Sequence, residues 1–423
     1  MAEQVKNRGW SVTFAGTGIN LALGILYTWS IFKGAIKESI DSGAEGGFQW
    51  DIASLNDPYA VCCLVFAFLM ILGGKIQDKI GPRTTALMGG IMVGLGFILI
   101  SQSTSYIIWI LGFGLLVGTG IAFAYASATP PALKWFPPEK TGLIAGLVVA
   151  GFGLASVYIA PLSNYLLGVW GLQNTMMFFG IAFLIVVGGL SMILINPPPG
   201  YVPKGANPSS GKVAKKVSVQ NEYTPLQMMT TPTFYMLWFA YFIGAGAGLM
   251  VIASVAGMAK KSMGELAFLV VAILAIGNAG GRVIAGILSD KIGRTLTLFI
   301  MLTFQAVLMF AAIPIMGMGV EKSAVVMLIL LTTFIGFNYG TNLSLFPSAT
   351  KDLWGLKNFG INYGIVFTAW GVGGFVMGRL SQMLKASTGS FNSSFITAGI
   401  MLLVGAALAL ILGARMSAAK TKK

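Results

Sequence analysis

Long runs of apolar residues, separated by short polar segments, dominate this chain of 423 residues. A run of about 18 or more apolar residues is long enough to cross a bilayer as a helix. The pattern predicts twelve membrane-spanning helices, with approximate bounds 10–32, 56–74, 84–103, 106–129, 142–167, 174–196, 232–257, 266–288, 295–318, 323–345, 360–384 and 392–414. We therefore expect an all-α membrane protein that crosses the lipid bilayer many times.

Composition agrees with this expectation. Charged residues make up 9% of the chain and hydrophobic residues 56%, whereas soluble domains carry about 25% charged residues. The formal net charge of +14 does not favour nucleic acid as a partner, because the basic residues are scattered among short loops.

The positions of these basic residues predict the orientation in the membrane. If the N-terminus is inside, 19 lysines and arginines lie in cytoplasmic segments and 6 lie outside. Cytoplasmic loops carry the excess of positive charge in membrane proteins. We expect both termini to be cytoplasmic and the protein to lie in the cell membrane, either the inner or the plasma membrane.

An internal repeat divides the predicted spans into two groups of six. The segment 73–81, GGKIQDKIG, recurs as 285–293, AGILSDKIG, about half a chain later. The repeat predicts an N-terminal six-helix bundle over 1–196, a cytoplasmic linker over 197–231 and a C-terminal six-helix bundle over 232–423. Parallel repeats of this kind are typical of carriers in which one half rocks against the other.

The repeated loop is also a candidate conformational motif. Its aspartates, Asp78 and Asp290, are followed by Arg83 and Arg294 at the start of the next predicted span. We expect each carboxylate to pair with a basic side chain across the neighbouring helix ends. The glycines of the loop allow a tight turn between those ends.

Arg282 is the most informative residue of the predicted spans. It is a lone cation inside the apolar run 268–288, and no span carries an interior carboxylate to neutralise it. An arginine at the bilayer centre costs roughly 2.5–3.5 kcal/mol on insertion scales. A mobile anion that binds and leaves would compensate for this cost, so the chain is expected to carry small organic anions. The alternatives are snorkelling to the interface or binding to backbone carbonyls; Asp290 marks the helix end roughly 12 Å away, which makes both a long reach.

No pattern of catalytic chemistry occurs in the sequence. There is no histidine, and the 13 acidic residues fall in loops or at predicted helix ends. We find no metal-ligand cluster, no nucleophile with an adjacent base and no phosphate-binding loop. The sequence therefore predicts neither an enzyme nor a bound metal or cofactor.

Several motifs resemble those of a known family. The doubled loop is similar to the signature of the major facilitator superfamily. Within it, the chain resembles the oxalate:formate exchangers and their monocarboxylate-transporting relatives in 27–30 (YTWS), 134–143 (KWFPPEKTGL), 344–348 (SLFPS) and 362–364 (NYG). The resemblance covers essentially the whole chain, and it implies two six-helix halves and a central binding site.

The resemblance also implies which residues form that site. Arg282 occupies the position of the family's substrate-binding arginine, and Tyr125 that of an aromatic residue that walls the exchanger's pocket. Further pocket-lining positions are Leu26, Tyr27, Phe152, Tyr339 and Leu343. Asn278, one turn before Arg282 on the same helix face, is either a substrate contact or a helix–helix hydrogen bond. Tyr125 and Tyr339 could instead serve packing.

Two departures from the family pattern bear on the substrate. The exchanger's second cation, a lysine in helix 11, is replaced here by Trp370, and its polar helix 1 contact is replaced by Leu26. One cation with apolar walls suits a monoanion better than a dianion. The animal lactate carriers have an aspartate where this chain has Asn278, so the usual proton-accepting group is missing.

The sequence as a whole favours a carrier of short monocarboxylates such as lactate or pyruvate, with proton symport preferred over exchange. The coupled proton could travel on the substrate carboxyl or use Asp57. An oxalate/formate-type antiporter is the alternative. A receptor without turnover is disfavoured by the absence of an output domain, and a sugar or drug carrier by the lone arginine.

Overall fold

Helices make up nearly all of the computed structural model, which describes residues 6–43, 45–203, 222–263, 267–317 and 322–421. We number the α-helices in chain order. They are α1 (Gly9–Leu23), α2 (Trp29–Ser42), α3 (Asp57–Ile80), α4 (Pro82–Ser101), α5 (Tyr106–Trp109), α6 (Gly118–Lys134), α7 (Thr141–Ser191), α8 (Pro225–Met229), α9 (Pro232–Met263), α10 (Ala267–Ile292), α11 (Arg294–Gly317), α12 (Lys322–Trp354), α13 (Phe359–Thr388) and α14 (Asn392–Thr421).

Eleven segments among the described residues are long and apolar enough to cross a membrane. One of them, Pro138–Ser191, has 54 residues, which at 1.5 Å per residue is more than twice the thickness of a bilayer core. Its helix α7 is broken at Gly171, where φ is 72°. The break lies between the fifth and sixth predicted spans. The count of twelve and the orientation of the termini stay predictions.

Two of the membrane segments contain irregular turns. In the first, a 3-10 helix over Gly24–Thr28 separates α1 from α2. In the fourth, a π-helical stretch over Ile110–Val117 joins α5 to α6. Trp29, the first residue of α2, packs on Phe113 of the π-helical stretch, with ring centroids 4.5 Å apart. Short stretches of this kind in long helices often mark functional regions.

The described chain forms two compact units. Unit 1 comprises Met1–Pro137, Leu154–Gln220 and Leu356–Ile365; unit 2 comprises Pro138–Gly153, Asn221–Gly355 and Val366–Lys423. The first part of α7 thus groups with the C-terminal helices, and the first part of α13 with the N-terminal ones. The predicted halves 1–196 and 232–423 stay a prediction, and 204–221 of the predicted linker lie outside the described residues.

Glycines set the closest helix packing within unit 2. In α10, a Cβ on Gly277 or Gly281 would overlap the backbone of α12; in α12, one on Gly336 or Gly340 would overlap the backbone of α10. Small residues four apart let helix backbones approach closely inside a membrane. This close packing of α10 against α12 fixes the position of the part of α10 that carries Arg282.

Candidate functional site

Arg282 is fully buried, with 0% of its surface exposed. Its Nε donates to Asn278 Oδ1 over 3.0 Å, one turn earlier on α10. Its Nη1 donates to the carbonyl oxygen of Val149 in α7. These contacts hold the guanidinium inside unit 2, so the side chain does not snorkel to an interface.

The backbone-carbonyl partner corrects the sequence argument. The distance along α10 alone predicts that such a partner is out of reach. The carbonyl of Val149 instead comes from another helix, which approaches closely because α7 carries glycine at two contact points. A Cβ on Gly146 would overlap the Arg282 carbonyl, and one on Gly153 would lie 3.3 Å from Arg282 Nε.

No carboxylate of the described residues pairs with the Arg282 guanidinium. Among the described residues, Arg282 takes part in no ion pair; the ion pairs present are Lys37–Asp41, Arg294–Asp290 and Arg294–Asp352. Nη2 of Arg282 has no hydrogen-bond partner in the described part of the chain. A buried charge with only neutral acceptors is costly, and an anion is the natural complement to it.

An aromatic pair lies on two other helices of unit 2. Trp370 Nε1 donates to the hydroxyl of Tyr339 over 2.9 Å, and the side chains are 3% and 0% exposed. Gly340, next to Tyr339, packs against Asn278: a Cβ there would lie 2.8 Å from Asn278 Oδ1. The arginine, its amide partner and the aromatic pair are therefore linked through directly packed helices.

The other predicted site residues divide between the units. Phe152 and Leu343 belong to unit 2 and are 2% and 3% exposed. Leu26, Tyr27 and Tyr125 belong to unit 1. Leu26 and Tyr27 lie in the 3-10 segment of the first span. The structure thus brings six of the nine candidate substrate residues into one unit and three into the other.

Asp290 of the repeated loop binds a helix N-terminus. Its two carboxylate oxygens accept the amides of Gly142 and Leu143 over 2.8 and 2.9 Å, in the first turn of α7. Arg294 Nη1 donates to Asp290 over 2.7 Å, and Arg294 Nε to Asp352 over 2.8 Å. The predicted pairing of aspartate with arginine is confirmed in this copy of the loop.

Asp78 makes the corresponding contact with α13. Its oxygens accept the amides of Gly360 and Ile361 over 3.1 and 3.0 Å. Arg83 is exposed and takes part in no ion pair among the described residues, so its role in the motif stays a prediction. The helix amides complement the charge of Asp78 through the helix dipole, and the charge of Lys134 interacts with it as well.

Sequence reasoning missed both amide contacts and one buried cation. A sequence signal for the two amide contacts was present, because Gly142 and Gly360 occupy matching places, 218 residues apart, in the repeat. Lys351, assigned to a cytoplasmic segment, is 2% exposed in α12 and donates to the Thr141 hydroxyl. Its position extends the polar cluster around Asp290.

A comparison with protein-family models identifies the family of this chain. The Major Facilitator Superfamily model matches residues 9–378 and 269–423. The chain belongs to the major facilitator superfamily. It is therefore a multi-pass transporter of the cell membrane and not an enzyme.

Individual proteins of known sequence extend the comparison. The uncharacterized major facilitator transporter YhjX of Escherichia coli is 31% identical over 86% of this chain and 85% of its own length. The oxalate:formate antiporter of Oxalobacter formigenes is 26% identical over 97% of this chain and 92% of its own. Human monocarboxylate transporter 11 is 26% identical over 94% of this chain and 81% of its own.

A solved structure supports the fold. The human organic anion transporter MFSD10 superposes with a TM-score of 0.65 at 14% identity, over 96% of this chain and 100% of that one. At this identity the likeness concerns the fold alone. The resemblance to the superfamily that the doubled loop suggested is confirmed.

This major facilitator protein also has a cavity of about 890 Å³ within unit 1. It lies beside α2 and the segment 164–173, and Glu38 is the charged residue in its lining. None of the nine candidate substrate residues lines it. A carboxylate in the lining does not favour an organic anion there, so we assign the cavity no part in the substrate site.

Proposed function

We propose that the protein carries short monocarboxylates such as lactate or pyruvate across the membrane by alternating access, together with a proton. The observation that supports this most directly is Arg282: buried, bound to neutral acceptors, and with Nη2 unpartnered among the described residues. The relatives named above, an oxalate:formate antiporter and a monocarboxylate transporter, support the same class of substrate.

The substrate carboxylate would bind at the free edge of the guanidinium. Two unit charges about 4 Å apart attract by roughly 4 kcal/mol at an effective dielectric constant of 20. Asn278 would keep the guanidinium oriented while Tyr339 supplies a hydrogen bond. Phe152, Leu343 and Trp370 would surround the organic part of the substrate. The three candidate residues of unit 1, Leu26, Tyr27 and Tyr125, stay predictions from the sequence.

A single charge on the substrate fits this site better than two. Trp370 takes the place of a second cation, and its indole N–H is already engaged by Tyr339. A dianion would retain one uncompensated charge in a buried site, which is unfavourable. Monocarboxylates would therefore be preferred over dicarboxylates.

Proton coupling would not use a carboxylate in the middle of a span. Among the described residues, the acidic side chains lie in loops or near helix ends. Asp57, at the start of α3, accepts a hydrogen bond from Tyr106 over 2.8 Å. We propose that the proton enters on the substrate carboxyl itself or through Asp57.

The two aspartates bound to helix amides would act as clamps. Asp78 holds the start of α13 and Asp290 the start of α7. Both contacts are electrostatic and directional, so they can break and re-form during the transport cycle. Asp78, Arg83, Asp290 and Arg294 are in this proposal the conformational motif, with Arg83 free to form its ion pair in another state.

Uptake into proteoliposomes tests the function. Labelled lactate should enter vesicles that contain no internal anion when an inside-alkaline pH gradient is imposed, and R282Q should abolish this uptake while remaining folded. Normal lactate uptake by folded R282Q would refute the assignment of the site.

Anion exchange is the second candidate, because the antiporter of Oxalobacter formigenes aligns with 97% of this chain. The same vesicles distinguish the two. Exchange requires preloaded formate or oxalate inside and gives no net uptake from a pH gradient alone.

A further inference from the structure

Helix α9 contains a run of alternating small residues, Gly244-Ala245-Gly246-Ala247-Gly248, whose role the proposed function does not explain. All five residues are buried. Gly244 and Gly248 lie four residues apart and therefore on one face of the helix. The partners of this face show what the run does.

Gly248 is in direct contact with the ring of Tyr339 on α12. A Cβ built on Gly248 would lie 2.8 Å from Cδ2, 2.9 Å from Cβ and 3.1 Å from Cγ of Tyr339. The first two distances are shorter than Cβ contacts in proteins, so the Tyr339 side chain occupies the space that a side chain at 248 would need. The absence of a side chain on α9 thus sets how far Tyr339 recedes into the helix packing.

The second glycine of this face fixes the next turn of α12 in the same way. A Cβ on Gly244 would overlap the carboxamide of Asn342. Asn342 Nδ2 donates to the carbonyl oxygens of Asn338 and Tyr339 over 3.0 and 3.4 Å, and Gln305 donates to the Gly244 carbonyl over 3.3 Å. At Gly244, α9 thus packs against Asn342 of α12 and accepts a hydrogen bond from Gln305 of α11, and at Gly248 it packs against Tyr339 of α12.

The position of Tyr339 in turn sets that of Trp370. The indole N–H of Trp370 donates to the Tyr339 hydroxyl over 2.9 Å, and its ring stacks on Phe367 with centroids 5.1 Å apart. A forward shift of the tyrosine ring would push the indole with it or break the hydrogen bond. In either case the apolar wall changes shape.

We propose that Gly248 is a specificity-determining positioning residue, which sets the size of the substrate tail that the Tyr339–Trp370 wall accepts. The inference rests on the proposed function, since it takes that wall to face the substrate. Gly248 does not contact the substrate; it acts through Tyr339. With glycine at 248 the wall is withdrawn and three-carbon acids fit, whereas a methyl group at 248 advances the wall and favours one- and two-carbon acids.

The experiment compares uptake of formate, acetate, lactate and butyrate by proteoliposomes containing G248A. We expect the ratio of formate to lactate uptake to rise at least tenfold, through a higher KM for lactate and a nearly unchanged KM for formate. W370F should shift the preference in the opposite direction, towards butyrate, because a smaller ring withdraws the wall.

Gly399 provides a matched control in the same unit. A Cβ on Gly399 would lie 2.6 Å from the Phe310 ring, on helices α14 and α11, so G399A imposes a similar steric conflict without involving Tyr339. It should lower uptake of all acids in proportion. If G248A does the same, or if W370F leaves the preference unchanged, the role of Gly248 is wrong although lactate transport stands.

Failure of the proposed function would look different, since the unmodified protein would then carry none of the four acids. If G248A is not recovered folded, W370F and the double variant G248A/Y339L decide the matter. Removal of the ring should restore folding and return the ratio of formate to lactate uptake to that of the parent, while loss of the Tyr339 hydroxyl lowers uptake of all four acids alike. A double variant that folds and still discriminates against lactate would overturn the proposal.

Discussion

Arg282 and Asn278 form a charged-to-neutral hydrogen bond of 3.0 Å along one face of α10, with both side chains buried. The partner is an amide and not a carboxylate, so the arginine is oriented without being neutralised. This distinction determines whether the guanidinium is available to a substrate anion.

Replacing this amide by a carboxylate should convert the site into a closed ion pair. N278D places a negative charge about 3 Å from Arg282 Nε, where it competes with the substrate. We expect lactate uptake at neutral pH to fall at least tenfold, since a loss of about 1.4 kcal/mol in binding suffices. Protonation of the new carboxyl should partly restore uptake at acidic pH.

The neutral variant N278A is the control for this prediction. It removes a hydrogen bond to a charged group, worth about 1.5–3 kcal/mol, without adding a charge. Uptake should fall at every pH, and acidification should not restore it. Equal pH profiles for N278D and N278A would show that the aspartate does not pair with Arg282.

The two amide-binding aspartates should differ in their contribution to stability. Asp290 accepts hydrogen bonds from two amides and from Arg294, whereas Asp78 accepts them from two amides and interacts with the charge of Lys134 without a direct ion pair among the described residues. D290N should therefore lower the free energy of unfolding by more than D78N, with the difference about 1–2 kcal/mol for a partly buried ion pair. Thermal unfolding of both variants in one detergent measures this difference. A larger loss for D78N would contradict it.

The arginines that follow the two aspartates provide a matched pair. Arg294 is 9% exposed and bridges Asp290 to Asp352, while Arg83 is exposed. R294Q should destabilise the protein by about 1–3 kcal/mol, and R83Q by less than 0.5 kcal/mol, as is usual for surface substitutions. If R83Q slows transport without lowering the melting temperature, Arg83 forms its ion pair in another state of the cycle.

Much of the fold could be predicted from the sequence because membrane helices obey simple rules. Length and hydropathy predicted an all-helical membrane protein, and the repeated loop placed Asp78 and Asp290 at equivalent helix ends. Arg282 was identifiable because a lone cation in an apolar run is rare. The partners of these residues were less accessible. The Val149 carbonyl and the amides of Gly142 and Gly360 are backbone groups, so no residue type reveals them.

The seating of Tyr339 shows a second limit of sequence reasoning. From the sequence alone, Tyr339 is either a residue of the substrate site or a residue of the helix packing. The decisive neighbour, Gly248, carries no side chain and belongs to a different helix. Glycine-rich segments report that two backbones come close together, but the identity of the partner helix depends on tertiary packing.

Adjacent glycines on α10 test how tightly the arginine-bearing helix is held. A Cβ on Gly281 would overlap the carbonyl of Phe337 on α12, whereas one on Gly280 would meet nothing within 4 Å. G281A should cost about 1–3 kcal/mol through overpacking and should reduce lactate uptake, because α10 must shift and carries Arg282 with it. G280A should change the free energy of unfolding by less than about 0.5 kcal/mol and should leave lactate uptake unchanged. Thermal unfolding and vesicle uptake on the same preparations separate the two variants. Equal behaviour of G281A and G280A would mean that the close contact between α10 and α12 does not hold the arginine in place.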